Sequence, residues 1–185
     1  MTPLDLSAYR IHLRCSAPVD PHGAEPEEAA FDRWQIELHL LDDDGDATTV
    51  LTALAFRLRP DSETDLIEAA DAQVDMHFLD RVCIDGLTEH GDIAKSVREA
   101  LDDDGSFDVL VIGRFAPSPA PPLHHGLLGR AVMDRLAGPG CICFFEAVPE
   151  APDLWASSVG AVRVDSLDAA TSARVLPPYP LAEIH

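Results

Sequence analysis

The sequence predicts one α/β (α+β) domain built around a mixed sheet of about six to seven strands, with helices on both faces. Three features of its 185 residues carry this prediction. Apolar and polar residues alternate in the first third of the chain, helical spacing follows, and a strand, a helix and a second strand come next. The element order β, β, β, α, α, β, α, β, α, β predicts an antiparallel first half and a βαβ crossover in the second half.

The first part of the chain contains three alternating segments that fit half-buried strands, at residues 9–15, 33–40 and 48–58. An acidic turn at residues 42–46 joins the last two, which favours an antiparallel hairpin with a polar tip. The turn lacks the spaced ligands and the terminal glutamate of a calcium loop, so calcium is not expected there.

Helical spacing begins after Asp61, where Ser62 is a candidate N-cap and acidic residues occupy the first turn. Apolar residues then recur every three to four positions, which predicts a helix that ends near Asp80. Residues 82–84 form a short apolar piece of uncertain type, and residues 92–101 predict a second helix with one apolar side.

Residues 107–149 are the part of the chain whose pattern points to a ligand. An apolar strand at 107–113 precedes a proline-rich loop at 114–122, a glycine-bearing helix at 124–136 and a second apolar strand at 141–145. The exposed N–H groups and the dipole of a helix start favour a phosphate or another anion. Helix starts with glycine also occur where no ligand binds, and both interpretations stay open.

The remainder of the chain predicts a short helix at 154–158 that ends at Gly160, a strand at 161–164 and an irregular tail at 165–185. Residues 1–185 are expected to form a single domain. No apolar run is long enough for a transmembrane helix, and the N-terminus lacks the features of a signal peptide, so a cytoplasmic location is expected.

The formal charge of the chain is −20, with 33 acidic and 13 basic residues. A surface with this much negative charge repels nucleic-acid phosphate and anionic lipid. Neither nucleic acid nor a membrane is therefore an expected partner. It favours cationic partners such as a small amine or a basic peptide. Adaptation of the surface to salt, without any specific partner, is the alternative explanation.

The four cysteines do not form a disulfide scaffold in a chain of this length. Cys141 and Cys143 share one face of a predicted strand and are expected in the core. Together with His124 and His125 they lack the spacing of a metal site, so no metal is expected. His77 is interpreted as a helix-face residue, and neither a hydrolase nucleophile elbow nor a Walker loop is present.

A resemblance to a known family rests on the element order from Tyr9 to Val164 and mainly on residues 109–148. Residues 129–136 look like the opening of that family's crossover helix, and residues 154–161 look like its short helix, glycine and final hairpin. The chain resembles the GNAT superfamily of acyl-CoA N-acyltransferases. The resemblance implies that acetyl-CoA enters a gap where the strands splay after the fourth strand, with its pyrophosphate on loop amides at the helix start.

Two stretches of the chain correspond to the family's cofactor site. The fourth-strand backbone would align the acyl arm, and amides at the helix start would hold the pyrophosphate. In the loop motif, His124 stands at the Gln or Arg position, Leu127 stands at the middle glycine, and only Gly129 matches. The implied cofactor-binding residues are Ile112, Gly113, Arg114, Phe115, His124, Leu127, Leu128, Gly129 and Arg130.

The family's usual general acid, a tyrosine, would fall on Ala156 in this chain. Ser157, or its neighbour Ser158, is therefore the candidate hydrogen-bond donor to the departing thiolate. Glu146 at the end of the fifth strand is the candidate general base, with an ordered water as the other option. Each has a structural alternative, as a helix-cap or surface serine and as a solvated carboxylate at a strand end.

The resemblance implies an acyl-CoA-dependent N-acyltransferase, with acetyl as the expected acyl group, in which an amine attacks the thioester directly. An alternative is a catalytically inactive GNAT-like binding or regulatory protein that docks a basic partner through its acidic surface. A third hypothesis is a homodimer without a small ligand, formed through an exposed sheet edge or through the apolar residues 176–184.

Overall fold

The computed structural model describes residues 6–17, 30–58, 65–73, 77–88, 92–102, 108–117, 120–164, 167 and 172–175. A short 3₁₀ turn, Leu6–Ala8, precedes the first strand. The strands are β1 (Tyr9–Ser16), β2 (Phe31–Leu41), β3 (Ala47–Leu58), β4 (Asp108–Ala116), β5 (Cys141–Phe145), β6 (Val162–Arg163) and β7 (Ser172–Val175). The helices are α1 (Leu66–Asp71), α2 (His77–Arg81), α3 (Lys95–Leu101), α4 (Pro122–Leu136) and α5 (Leu154–Val159), with a π turn at Val82–Gly86.

The seven strands form one mixed sheet in the order β1-β2-β3-β4-β5-β7-β6. β4 and β5 run parallel and are joined by the α4 crossover, whereas the other neighbouring strands pair antiparallel. The predicted fold class is therefore confirmed, including the antiparallel first half and the βαβ unit. In the described residues no helix is long and apolar enough to cross a membrane.

Helices cover both faces of the sheet because alternate residues of the central strands point to opposite sides. Val109 and Val111 of β4 belong to the core beneath α1, α2 and α3. Leu110 and Ile112 belong to the core beneath α4 and α5, together with the buried Cys141 and Cys143. The strand ends that concern the candidate site thus lie between two packed layers.

The single helix predicted up to Asp80 is replaced by two short helices, α1 and α2. Ser62 lies outside the described residues, and the cap of α1 is Asp65, whose carboxylate accepts hydrogen bonds from the N–H groups of Ile67 and Glu68. α1 ends at Asp71 with Ala72 as its C-cap, and Phe78 of α2 lies in the same core as Ala69 and Ala70 of α1. Spacing alone cannot distinguish one long helix from two short ones that share a core.

The predicted irregular tail at 165–185 is also corrected, because residues 172–175 form β7. This strand lies between β5 and β6, where Ala173 is opposite both Phe144 and Val162. An open edge on β5 would leave a row of backbone groups unpaired beside the core, and β7 supplies their partners. The predicted strand at 161–164 shortens to the two residues of β6.

Candidate functional site

The pairing of the parallel strands β4 and β5 ends before β4 itself ends. Their pairing extends from Asp108 opposite Cys141 to Ile112 opposite Phe145. β4 then continues to Ala116, although the sequence predicted a loop from Arg114 onward. Arg114 has a φ of +53°, in the left-handed region that few residues other than glycine adopt. This residue lies just beyond Ile112, the last residue of β4 that pairs with β5.

Glu146 connects β4 and β5 at the point where their pairing ends. Its N–H donates to the carbonyl of Ile112 at 2.9 Å, and its carboxylate accepts a hydrogen bond from the N–H of Arg114. Its own carbonyl accepts from the indole N–H of Trp155 at 2.8 Å. The structure therefore brings together three predicted site residues, with the carboxylate bound to the backbone donor that would align an acyl arm.

An aromatic cluster packs beside this point. Trp155 of α5 stacks on Phe145 with ring centroids 4.7 Å apart, and Phe115 lies 5.4 Å from the same indole. His125 contacts Phe115 edge-on at 5.1 Å. From the sequence His125 was considered only as a metal ligand, and its aromatic contacts were not predicted, although it lies four residues before Gly129 on one helix face. The cluster fills the volume next to the end of β5.

The helix start is displaced from the position that the phosphate prediction needs. α4 begins at Pro122, so Leu127 to Arg130 lie beyond its first turn and their N–H groups are used inside the helix. Residues 117–122 include four prolines, which have no N–H to offer. The N–H of His124 already donates to the Pro121 carbonyl at 2.9 Å. The predicted amide cradle at 127–130 is thus not presented to a ligand.

The glycines of α4 have a packing role. A Cβ atom at Gly129 would lie 2.7 Å from Trp155 Cζ3, and one at Gly126 would lie 2.9 Å from Ser158 Cβ. Leu128 is fully buried and Leu127 is half-buried, both in the core beneath α4 and α5. The only matching glycine of the loop motif, Gly129, therefore allows α5 to approach α4 closely.

The neighbouring histidines are embedded in the protein. The Nε2 atom of His124 lies 3.5 Å from the Tyr9 hydroxyl, and its Nδ1 atom is buried without a hydrogen-bond partner among the described residues. Burial lowers the pKa of His124. His125 is only 3% exposed, and burial lowers its pKa against the opposing effects of the Pro121 carbonyl and Glu150. At neutral pH neither imidazole carries the positive charge that an Arg position supplies.

The candidate serines and Arg130 connect α4 and α5. The hydroxyls of Ser157 and Ser158 donate to the Leu154 carbonyl at 3.0 Å and 2.6 Å. Arg130 donates to the Ser158 carbonyl at 2.7 Å. Both hydroxyls therefore bond inside α5, which differs from the helix-cap and surface alternatives that the sequence left open for the serines.

Comparisons of the chain with protein-family models, with curated proteins and with solved structures find no match. The fold and the site therefore define it as a mixed α/β protein with a seven-stranded sheet and a bridged β4–β5 end.

Proposed function

We propose that this chain is a GNAT-like binding or regulatory protein that docks a basic partner and does not transfer acyl groups. The observation that carries the proposal is the position of Glu146 at the end of the β4–β5 pair. Its carboxylate holds the Arg114 N–H, and its carbonyl holds the Trp155 indole. The thioester carbonyl of an acyl arm could accept the Arg114 N–H only by displacing the Glu146 carboxylate from this hydrogen bond.

The start of α4 also offers few hydrogen-bond donors or positive charges for the pyrophosphate of acyl-CoA. The N–H groups of residues 127–130 are used inside α4, four prolines at 117–122 have no N–H, and the nearby imidazoles are neutral at neutral pH. A pyrophosphate needs several N–H groups or fixed positive charges in one place. This balance of donors favours a role that does not depend on CoA.

The layer of α1, α2, the π turn and α3 is the surface we propose for docking. Ile67 and Ile84 are exposed there, at 44% and 49%. The basic residues of the layer are fewer than the acidic ones, and Lys95 pairs with Glu99 at 3.4 Å. The exposed acidic residues of the layer are Asp65, Glu68, Asp71, Asp85, Asp92, Glu99 and Asp102. Apolar side chains among carboxylates complement a basic amphipathic segment.

A peptide-binding experiment tests the docking surface. The probe is a synthetic amphipathic helix of leucine and lysine, measured by fluorescence anisotropy at low and high salt. Neutralising Glu68, Asp71 and Asp85 together to Gln or Asn should weaken binding by about tenfold, because three local charges are lost. The matched control neutralises three exposed residues of the β2–β3 turn, Asp43, Asp44 and Asp46, and should change binding far less.

The apolar part of the surface has its own control. Ile67→Ser and Ile84→Ser should weaken peptide binding, whereas Val162→Ser, which removes an equally exposed side chain from β6, should not. Equal losses in the two charge-matched triple variants would show attraction to net charge alone and would overturn the proposed surface.

Calorimetric titration with acetyl-CoA tests the other half of the proposal. We expect no binding at millimolar acetyl-CoA and no release of CoA thiol across a panel of amines. Saturable binding together with thiol release would overturn the proposal.

We propose the cytoplasm as the compartment, since a reducing environment keeps its buried thiols reduced.

An acyl-CoA-dependent N-acyltransferase is the second candidate, and it is favoured by the continuation of β4 beyond its last pair with β5 at Ile112. In this mechanism the Glu146 carboxylate would move off the Arg114 N–H, which would then bind the thioester carbonyl. The freed carboxylate would take the proton of the attacking amine. Thiol release that falls sharply in Glu146→Gln, with acetyl-CoA binding kept, would support this candidate.

A further inference from the structure

One face of the β1–β2 pair brings together three side chains that can ligate a metal. They are His12, Glu37 and His39, and one potential ligand atom from each lies within 4.8 Å of the others. We propose that they form a zinc-type site that is separate from the β4–β5 end. The sequence predicts no metal, because its two candidate groups, the acidic turn at 42–46 and the histidines and cysteines of the crossover unit, lack the spacing of a metal site.

Strand register places the three residues on one face. His12 is directly opposite Glu37 in the antiparallel β1–β2 pair, and His39 follows Glu37 by two positions, so all three side chains project to the same side. The imidazole rings of His12 and His39 lie with centroids 4.4 Å apart. The Nε2 atom of His39 lies 3.1 Å from Glu37 Oε2.

A bulge in the neighbouring strand supplies a partner for His39. The β2–β3 register shifts between Leu38 and His39, so that Thr49, and not Val50, is opposite His39. The Thr49 hydroxyl oxygen lies 3.5 Å from His39 Nδ1. If that oxygen accepts the Nδ1–H, the Nε2 lone pair is left for a metal, which is the arrangement that outer hydrogen bonds impose on metal-binding histidines.

The spacing fits a small ion with bonds of about 2.0–2.1 Å, whose tetrahedral ligands lie about 3.4 Å apart. The His39 Nε2 and Glu37 Oε2 atoms, at 3.1 Å, are already close to this separation. The widest separation in the set is at most 4.8 Å. Closing it to about 3.4 Å needs a movement of roughly 1.4 Å, which rotation of the exposed His12 side chain can provide.

Side-chain exposure and the neighbouring Arg10 determine how accessible the site is to solvent and which charges surround it. His12 is exposed, whereas the side chains of Glu37 and His39 are 24% and 12% exposed. A metal held here would keep a position for water or another ligand. Arg10 is opposite His39, but its guanidinium donates to the carbonyls of Ser7 and Tyr9. Two imidazoles and one carboxylate favour Zn²⁺ over Mg²⁺ or Ca²⁺.

The test is calorimetric titration of the chelator-treated, tag-free chain with ZnCl₂ in the presence of millimolar Mg²⁺. The Mg²⁺ occupies the carboxylates of the acidic surface without competing for imidazole. We expect one Zn²⁺ per chain bound through this site, and a rise in Tm with Zn²⁺. Co²⁺ should give the visible absorption of a low-coordinate site with nitrogen ligands.

His12→Ala and Glu37→Gln should each abolish this binding, and the second variant keeps the size of the side chain if the first folds poorly. Thr49→Val should weaken Zn²⁺ by about tenfold through loss of the outer hydrogen bond. The controls are His77→Ala, which removes an exposed imidazole from α2, and Cys15→Ser, which removes an exposed thiol from β1. Unchanged zinc stoichiometry in both His12→Ala and Glu37→Gln, or no zinc binding by the parent chain, would overturn the proposal.

Discussion

Gly129 illustrates how a single residue can carry a signal whose meaning depends on its neighbour. In the sequence it marks a helix opening and a possible phosphate site. In the structure the ring of Trp155 occupies the space that a side chain at 129 would need. The indole is itself held by Phe145 and by the Glu146 carbonyl, so it cannot move aside at small cost.

Replacement of this glycine gives the first prediction. Gly129→Ala should lower the free energy of unfolding by about 1–2 kcal/mol, because the steric cost of overpacking exceeds the gain of about 1 kcal/mol in helix propensity. Urea unfolding followed by circular dichroism measures the change. The control is Gly138→Ala, where the nearest atom to an added Cβ is 4.0 Å away. Equal stabilities of the Gly129→Ala variant and the parent chain would contradict the packing role.

A second prediction at the residue scale concerns acid stability. Burial is the main cause of the lowered pKa of His125. The unfolded chain therefore binds more protons than the folded chain as the pH falls below about 6.5, and stability decreases with falling pH. Well above that pH the imidazole is neutral in both states and the effect vanishes.

His125→Phe should reduce the loss of Tm between pH 7.5 and pH 5.5, because the phenyl ring keeps the aromatic contacts and does not titrate. Thermal unfolding at the two pH values measures the difference, with His77→Ala as the exposed control. The same pH dependence in the His125→Phe variant and the parent chain would assign the effect to other groups.

At the scale of elements, β7 is where local pattern is weakest and sheet pairing most important. Four residues are too few to display a period, yet Ala173 is fully buried between two strands. Residues 172–175 pair with β5 because the backbone N–H and C=O groups along the edge of β5 need hydrogen-bond partners. The same principle explains why β4 extends past its predicted end, since β3 pairs with it as far as Ala116.

Ala173→Pro should destabilise the protein by about 2–3 kcal/mol, because proline removes a ladder hydrogen bond in the interior of the sheet. Hydrogen exchange of the β5 amides should become faster in this variant. Ala173→Gly keeps the N–H and should cost only about 0.5–1 kcal/mol. Unaltered β5 exchange in the proline variant would argue against the pairing of β7 with β5.

At the scale of the whole molecule, charge is the dominant feature. A formal charge of −20 on 185 residues produces repulsion in the compact state, and salt screens it. Raising ionic strength from about 0.01 M to 1 M shortens the Debye length from about 30 Å to about 3 Å. Both the docking proposal and a surface adapted to salt predict this response.

We therefore expect the Tm to rise by several degrees with added NaCl at pH 7.5. The internal control is the same titration near the isoelectric point of about 4.4, where the net charge approaches zero and the rise should shrink. An equal rise at both pH values would point to a general salt effect on hydration.

The parts of the fold that follow from local chemistry were predictable from the sequence. Alternation predicted β1, β2 and β3, and the apolar strands with an intervening helix predicted the β4–α4–β5 crossover and the burial of Cys141 and Cys143. The candidate site was predictable only as a set of residues. Ile112, Arg114 and Glu146 do meet, but the bond that joins them could not be read from their positions in the chain.

The sequence by itself determined the fold class, the crossover and the acidic surface, because periodicity and charge are properties of neighbouring residues. Tertiary structure alone decided three other matters: the role of Gly129 against Trp155, the insertion of β7 beside β5, and the meeting of His12 with Glu37 and His39. Each depends on which distant segment lies opposite. Strand register and helix contact fix that pairing, and no local pattern encodes it.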